Sequence, residues 1–479
     1  MKDLRKLFGT DGIRGKAETD LTPEFILRVG QAGAKFLSGE NCVENYLKSS
    51  AKNAKVKILI GRDTRPSGKK ISEVLVSAIL ENGFDVLDGR IITTPAAALL
   101  VKILGLDGAI VVSASHNPVE DNGIKFFGRG GKKLTDSQEH SIEYCILNEP
   151  DQVPERGEVH GRNKETDVHD QAGKTRGNYS VLEDAYEIYI NYIRDFFNLD
   201  LSGIRIAIDC ANGAASILAP MVFKQFKADI EVFNSDISGL LINKDCGATH
   251  PEFISRATVE SRSDLGIAFD GDADRVIICD RRGRIIDGDI IIGFCAIDMA
   301  EKKTLANNSI VTTVMANMGL EKVMKENGIT VHRTQVGDRY VLEKMAETGS
   351  VLGGEQSGHI IFTNISPTGD GILSALEFLN VIVSNNYNFS EITEIIPKYP
   401  QILKNIRVAD KKRVLESEML IEAVKKVTNR LNGAGRLLVR PSGTEPLIRV
   451  MAEAESEKLA AGAVEEILSV IKEINLEQP

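Results

Sequence analysis

The chain is predicted to be an α/β protein made of three repeated mixed-sheet α/β domains followed by a smaller C-terminal α+β domain. Two observations carry this prediction. Short apolar, β-branched runs alternate with stretches of helical period, and the same order of runs recurs three times before the pattern changes near residue 398. At 479 residues the chain is also too long for a single core.

Each repeat opens with a strand-like run that feeds a polar loop and then a helix pattern: 57–60 into Gly61-Arg62-Asp63, 206–208 into 209–213, and 310–314 into 315–317. A second run follows at 84–87, 230–233 and 329–331. A third run then enters an unusually polar loop, 113–117, 270–275 or 355–359, and a closing hairpin strand follows at 123–127, 276–279 and 359–362. Strands that alternate with helices pair in parallel, and the closing run adds an antiparallel partner. The expected unit is therefore a mixed four-stranded sheet flanked by helices, made three times. Beyond residue 398 come strand-like runs at 401–408, 436–440 and 447–451 and helical stretches at 419–431 and 456–474, a separate α+β unit. The expected domains are 1–180, 181–281, 282–396 and 397–479. The polar stretches 41–55 and 149–180 read as insertions without chemistry.

Composition narrows the class. Hydrophobic residues at 42% and charged residues at 26% fit a globular protein, and a net charge of −10 argues against a nucleic-acid surface. No run has the length of a membrane span, and the N-terminus lacks the apolar core of a signal peptide. The six cysteines show no Cys-x-x-Cys spacing and are expected to be reduced thiols in the core. The expectation is a cytoplasmic protein with neither nucleic-acid nor membrane partners.

Four loops carry candidate chemistry. In Val112-Ser113-Ala114-Ser115-His116-Asn117-Pro118 a hydroxyl sits where a strand stops, at the carboxyl end where α/β sheets bind ligands, although a serine before a turn also serves as a cap. Asp270-Gly271-Asp272-Ala273-Asp274-Arg275 sets three carboxylates at alternate positions, so a curved backbone turns them toward one hard cation. A calcium hand loop is excluded, because the sixth and twelfth places hold Arg275 and Arg281. Glu355-Gln356-Ser357-Gly358-His359 offers an acceptor, a hydroxyl and an imidazole that suit neighbouring sugar hydroxyls, with a structural histidine as the competing reading. Arg440-Pro441-Ser442-Gly443-Thr444-Glu445-Pro446, with Arg449 in the next strand, presents amides, hydroxyls and guanidiniums to an anion; ordinary turn chemistry is the alternative. Arg14, Lys125 and the run Gly337-Asp338-Arg339 are lesser candidates.

In this order the four motifs resemble the α-D-phosphohexomutase family across the whole chain apart from the two insertions. The runs 9–15, 336–341 and 399–401 look most like its amino-sugar branch, with the phosphomannomutase/phosphoglucomutase branch as near neighbour. The resemblance implies four domains around a central cleft and an intramolecular phosphotransferase that moves a phosphoryl group between the 6- and 1-positions of a hexose. Ser115 would carry that group, with Lys125, Arg275, Arg14 and His116 around it. Mg2+ would be held by Asp270, Asp272, Asp274 and a phosphoryl oxygen on Ser115. Glu355, Ser357, His359, Gly337 and Asp338 would bind the sugar. Arg440, Ser442, Gly443, Thr444 and Arg449 would bind its distal phosphate. Lys125 is a further candidate for moving the hydroxyl proton. A hexose 1,6-bisphosphate would act as activator, and the last domain would close on a hinge near 395–399. The partner is a small sugar phosphate, and the chain is a monomer or homodimer. A metal-dependent phosphatase and a non-catalytic sugar-phosphate binder are the rival readings.

Overall fold

The structure, a computed structural model, describes residues 7–9, 11–39, 55–148, 176–388, 391–431, 433–442 and 446–476. It divides into two compact units, Met1–Val314 with His332–Thr393, and Met315–Val331 with Glu394–Pro479.

The first unit contains the first two repeats and most of the third. In the first sheet the strands run Asp121–Phe127, Gly108–Val112, Lys57–Arg62, Asp85–Ile91. In the second they run Val276–Asp280, Leu265–Phe269, Arg205–Asp209, Asp229–Phe233, and in the third Ile360–Phe362, Leu352–Gly354, Ser309–Thr313, with Thr330–Thr334 at the edge. Each sheet thus has the same order: closing, third, first, second. The first and third strands pair in parallel, as at Ile58 with Gly108, Ile206 with Leu265 and Ile310 with Leu352. The closing strand is antiparallel, as at Ile110 with Phe126, Ile267 with Ile278 and Gly353 with Ile361. Gly108–Val112, Leu265–Phe269 and Ser309–Thr313 are buried at every position, because helices cover both faces of a parallel sheet; these strands read as unbroken runs rather than alternating ones.

The helices begin where the sequence supplies caps. Thr93 accepts the Ala96 N–H to start Thr94–Leu104, which Gly105 ends in the left-handed conformation. Asp287 caps Gly288–Glu301 through Ile290, and Asp370 caps Gly371–Asn385 through Ile372 and Leu373. The central isoleucines, Ile58, Ile110, Ile208 and Ile267, are fully buried, and truncating any of them to alanine is worth about 2–5 kcal/mol.

Two sheets are larger than the four strands expected. The hairpin Phe8–Gly9 and Gly12–Lys16 pairs onto Asp121–Phe127, and Tyr179–Val181 adds a parallel strand beside Asp85–Ile91. The second sheet gains Ile285–Ile286. The end of the expected 149–180 insertion is therefore a strand; at three residues, largely exposed, it has no periodicity to betray it. Residues 40–54 and 149–175, which hold the rest of both expected insertions, lie outside the described residues. Cys210, Cys246, Cys279 and Cys295 are free and buried, whereas Cys145 is disulfide-bonded, which corrects the expectation of six thiols.

In the second unit Gln401–Arg407, Leu447–Ala454 and Gly435–Pro441 form an antiparallel sheet with Leu447–Ala454 in the centre. Its apolar face packs on Glu418–Leu431 and Glu457–Leu476 through Val427, Val450, Ala452, Val464 and Ile467. Among the described residues no helix is long and apolar enough to cross a membrane.

One partly buried acid makes the packing of the third domain pH-sensitive. Burial first, then the charge of Asp298, pushes Glu377 up to about 7. An acid raised in the fold contributes stability below its unfolded value and loses it as pH rises through the folded one. Glu377→Gln is therefore expected to raise unfolding free energy by about 1–3 kcal/mol near pH 8, a gain that shrinks toward zero near pH 4.5. Urea melts at both pH values check this; equal gains at the two would refute it.

Candidate active site

The three polar loops all leave the carboxyl ends of the third strands of the first unit, and each turns through one residue of positive φ: Ser115 at 51°, Ala273 at 58° and Gly358 at 91°. A β-carbon on Gly271 would stand 2.5 Å from the Ser115 carbonyl oxygen, so the aspartate loop reaches the serine loop only because that residue lacks one.

Ser115 Oγ donates to Asp270 Oδ2 at 2.6 Å and lies 3.2 Å from His116 Nδ1. Asp270, Asp272 and Asp274 are all buried and offer one oxygen each within 4.8 Å of one another. Asp272 Oδ1 and Asp274 Oδ1 are buried without a hydrogen-bond partner. Two orphaned, hard anionic oxygens facing a common point fit a divalent cation such as Mg2+. Burial first, then the charges of Asp274 and Asp272, pushes Asp270 up to about 8, so without a cation the trio holds a proton instead.

Lys125 Nζ lies 2.7 Å from both Asp11 Oδ2 and Asp272 Oδ2 and 3.7 Å from Asp274 Oδ2. Burial works to discharge it, but these three carboxylates hold its pKa well above the ordinary lysine value. These contacts favour its charged form. Arg14 Nη2 meets Asp11 at 2.6 Å and Nη1 reaches Asn117 Oδ1 at 3.3 Å. Arg275 Nε stands 3.9 Å from Asp274. Burial first, then Arg275 and Arg14, holds His116 down to about 4, so its imidazole is neutral at pH 7.

The sugar-loop candidates join the same cluster. His359 is buried, with Nδ1 3.6 Å from Asp274 Oδ2 and Nε2 3.7 Å from Asp338 Oδ2. Burial opposes its charging, yet Asp274 and Asp338 raise its pKa above the ordinary histidine value. Glu355 accepts the Gly337 N–H at 2.9 Å and the Ser357 hydroxyl at 3.3 Å, which ties the loops 337–339 and 355–359 together.

Several residues belong to this network that the motifs did not flag. Thr94, at the start of its helix, donates to Asp272 Oδ2 at 2.6 Å. Lys133 bridges Asp11, at 2.6 Å, and Asp338. By contrast Arg339, a lesser candidate of the sequence, is buried against Asp136 and Glu139 and does not stand open to a ligand. Asp63 and Arg65 frame the serine loop from behind. Only Asp63, at the end of the first strand of a repeat, carried a positional signal.

In the second unit Arg440 and Arg449 are register partners on adjacent strands. Burial first, then the Arg449 charge, lowers Arg440 below the usual guanidinium value. Lys411 Nζ donates to the Ser442 carbonyl at 2.8 Å. Gly443 and Thr444 lie outside the described residues.

A buried serine beside an aspartate trio, with acid, hydroxyl and imidazole groups on the third loop, stands on a three-fold repeated α/β scaffold. The comparisons place that scaffold. Models of phosphoglucomutase/phosphomannomutase α/β/α domains I, II and III and of its C-terminal domain match residues 5–152, 187–283, 287–399 and 403–470. The chain is 44% identical over 469 residues to phosphoglucosamine mutase of Bacillus mycoides and 43% identical to that of Bacillus cereus, covering 98% of this chain and 99% of each relative. The chain belongs to the phosphoglucomutase/phosphomannomutase family and is a phosphotransferase of the isomerase class. The same fold occurs in a phosphoglucomutase/phosphomannomutase family protein of Burkholderia thailandensis, with a TM-score of 0.77 at 21% identity and 98% coverage of both chains. It occurs too in Aspergillus fumigatus N-acetylphosphoglucosamine mutase in complex with GlcNAc-6P and magnesium, with a TM-score of 0.66 at 18% identity and coverage of 99% and 97%.

Replacing Lys125 by methionine leaves Asp272 buried without its cation, whereas Asp11 keeps Arg14 and Lys133. The expected cost is about 3–5 kcal/mol of stability, partly recovered when Asp272→Asn is added to the same chain. Denaturant melts of the two variants measure this, and a Lys125→Met protein within about 1 kcal/mol of the parent would show that the charge is not structurally coupled.

Proposed function

We propose that this chain acts as a phosphoglucosamine mutase, interconverting glucosamine 6-phosphate and glucosamine 1-phosphate through a phosphoserine at Ser115 and a sugar bisphosphate. The observation that carries the reading is the Ser115 hydroxyl 2.6 Å from Asp270, at the head of the buried trio. The name of the relatives that match along their full length supports the choice of an amino sugar.

Asp270, Asp272 and Asp274 would hold Mg2+ together with a phosphoryl oxygen on Ser115; when bound, the ion neutralises charge on the transferring group. The chain's own residues do the rest. Ser115 gives its phosphoryl to the free hydroxyl of the sugar phosphate: the bond from phosphorus to the serine oxygen breaks, that to the sugar oxygen forms, and the hydroxyl proton ends on the serine oxygen. The bisphosphate then turns end for end and returns its other phosphoryl to Ser115. Lys125, Arg14 and Arg275 stand as fixed cations beside the reacting group, and little covalent work beyond in-line placement is required. Glu355, Ser357 and His359, with Gly337 and Asp338, orient the sugar hydroxyls.

A ligand that reacts in either orientation needs a second phosphate site of similar strength. We assign it to the hairpin of Arg440, Ser442 and Arg449, with Gly443 and Thr444. The Arg449 charge that, after burial, works against Arg440 is what a bound dianion offsets. A hexose 1,6-bisphosphate serves as activator by phosphorylating Ser115. A phosphatase would let water take the phosphoryl group and would need neither a sugar-facing loop nor a second phosphate site, so their presence disfavours that reading.

The test is intact mass together with assay. The purified protein is expected to carry one phosphoryl group in part of the population and to isomerise glucosamine 6-phosphate once primed with a hexose bisphosphate. Ser115→Ala is expected to lose both properties. Free phosphate as the main product would establish the phosphatase, and higher kcat/KM on glucose or mannose phosphates would reassign the substrate to the phosphomannomutase/phosphoglucomutase branch. Chelation of divalent ions is expected to lower kcat by at least about 10²-fold, with Mg2+ restoring it; unchanged turnover after chelation would remove the metal from the mechanism.

A further inference from the structure

Ser115 is one of the few non-glycine residues of positive φ, and it is also the residue whose oxygen has to be aimed. What holds it in that conformation lies behind the site. The Arg65 side chain is completely buried, and each of its five N–H groups has an acceptor. Nε donates to Asp63 Oδ2 at 3.0 Å, Nη1 to the carbonyls of Pro118 and Asp121 (2.9 Å for the latter), and Nη2 to those of Ser115 at 2.9 Å and Asn117 at 2.7 Å. Four of the five therefore go to one seven-residue turn. Asp63 also accepts the Ser113 hydroxyl at 2.6 Å, and that hydroxyl in turn accepts the Ser115 N–H at 2.9 Å.

Both peptide groups flanking Ser115 thus trace to one ion pair, the N–H through Ser113 to Asp63 and the C=O to Arg65. Because the peptide is planar and trans, fixing the Ser115 carbonyl toward Arg65 turns the His116 N–H to the opposite side. The planar guanidinium is suited to this task in a way an ammonium is not: its five donors have fixed directions, and four converging carbonyls need that fan. Asn243 adds a second hold, donating to the Ser115 and Asn117 carbonyls at 2.8 and 3.1 Å.

We propose that the Asp63–Arg65 pair is a positioning device for the nucleophile: it fixes the serine loop so that the Ser115 oxygen points along the line of phosphoryl transfer. Arg65 touches neither sugar nor phosphate in this role and acts only through the loop backbone. The proposal rests on the phosphoserine reading above.

Arg65→Lys keeps a positive charge against Asp63 but loses the fan of donors. It is expected to fold, to keep KM for the sugar phosphate within about twofold, and to lower kcat about 10²-fold, the cost of misplacing a reacting atom by about an ångström. The ratio of free phosphate released to sugar phosphate isomerised should rise about tenfold, since water tolerates a misaimed phosphoserine better than a sugar hydroxyl does. Ser113→Ala, which cuts the link to the Ser115 N–H with little change in volume, is expected to raise the same ratio in a chain that folds whether or not Arg65→Lys does. Unchanged ratios in the folded variants, whether kcat stays at the parental value or falls together with stability, would overturn the positioning role. If the parent protein itself carries no phosphoserine and isomerises nothing, the phosphotransfer reading fails instead, so the two failures are distinct.

Discussion

Burying like charges is the constraint on which this structure depends. Asp270, Asp272 and Asp274 sit within 4.8 Å of one another and are all but removed from solvent, an arrangement that costs several kcal/mol per uncompensated charge. Compensation comes from an alternating lattice: Lys125 between Asp11 and Asp272, Lys133 between Asp11 and Asp338, and His359 between Asp338 and Asp274, with Arg14 and Arg275 at its margin. Five carboxylates face four permanent cations and one imidazole. Burial and the charges of Asp274 and Asp272 also raise Asp270 to about 8, a second way in which the excess of like charge is relieved.

The repeated architecture explains how three chemistries meet at one point. The same four-strand order occurs in all three sheets, and each third strand ends in a loop with one residue of positive φ. The first loop supplies the serine, the second the trio of acids, and the third Glu355, Ser357 and His359. Their convergence demands close backbone approach. Gly271 meets the Ser115 carbonyl, and a β-carbon on Gly358 would fall 2.0 Å from the Val276 carbonyl oxygen. Glycine between two aspartates, and again before His359, is thus a packing requirement of the site as much as a turn preference.

The repeats and the three chemical loops were legible in the sequence because each is local: a buried run of five or so residues, then a dense polar turn. What escaped was long-range or lacked period. The edge strand Tyr179–Val181 is three exposed-to-intermediate residues beside a polar stretch, and the N-terminal hairpin is interrupted by the turn that delivers Asp11. Thr94 looks in sequence like an ordinary first-turn residue after a threonine cap, yet the end of its helix abuts the aspartate loop, and its hydroxyl serves Asp272. Lys133 lies in no motif at all; only the fold brings it between Asp11 and Asp338. Sequence proximity identifies the groups that do chemistry, whereas groups that balance or aim them are recruited from anywhere the sheets happen to meet.

Lys125 shows why that distinction bears on mechanism. Read from its place in a strand, it is a cation within reach of a phosphate, free to give and take a proton. In the fold it is enclosed by three carboxylates and nearly devoid of solvent, and the Coulomb field that makes it indispensable to the buried aspartates also raises its pKa. Burial among carboxylates favours the charged form of this lysine, so what it brings to the site is first of all a positive charge.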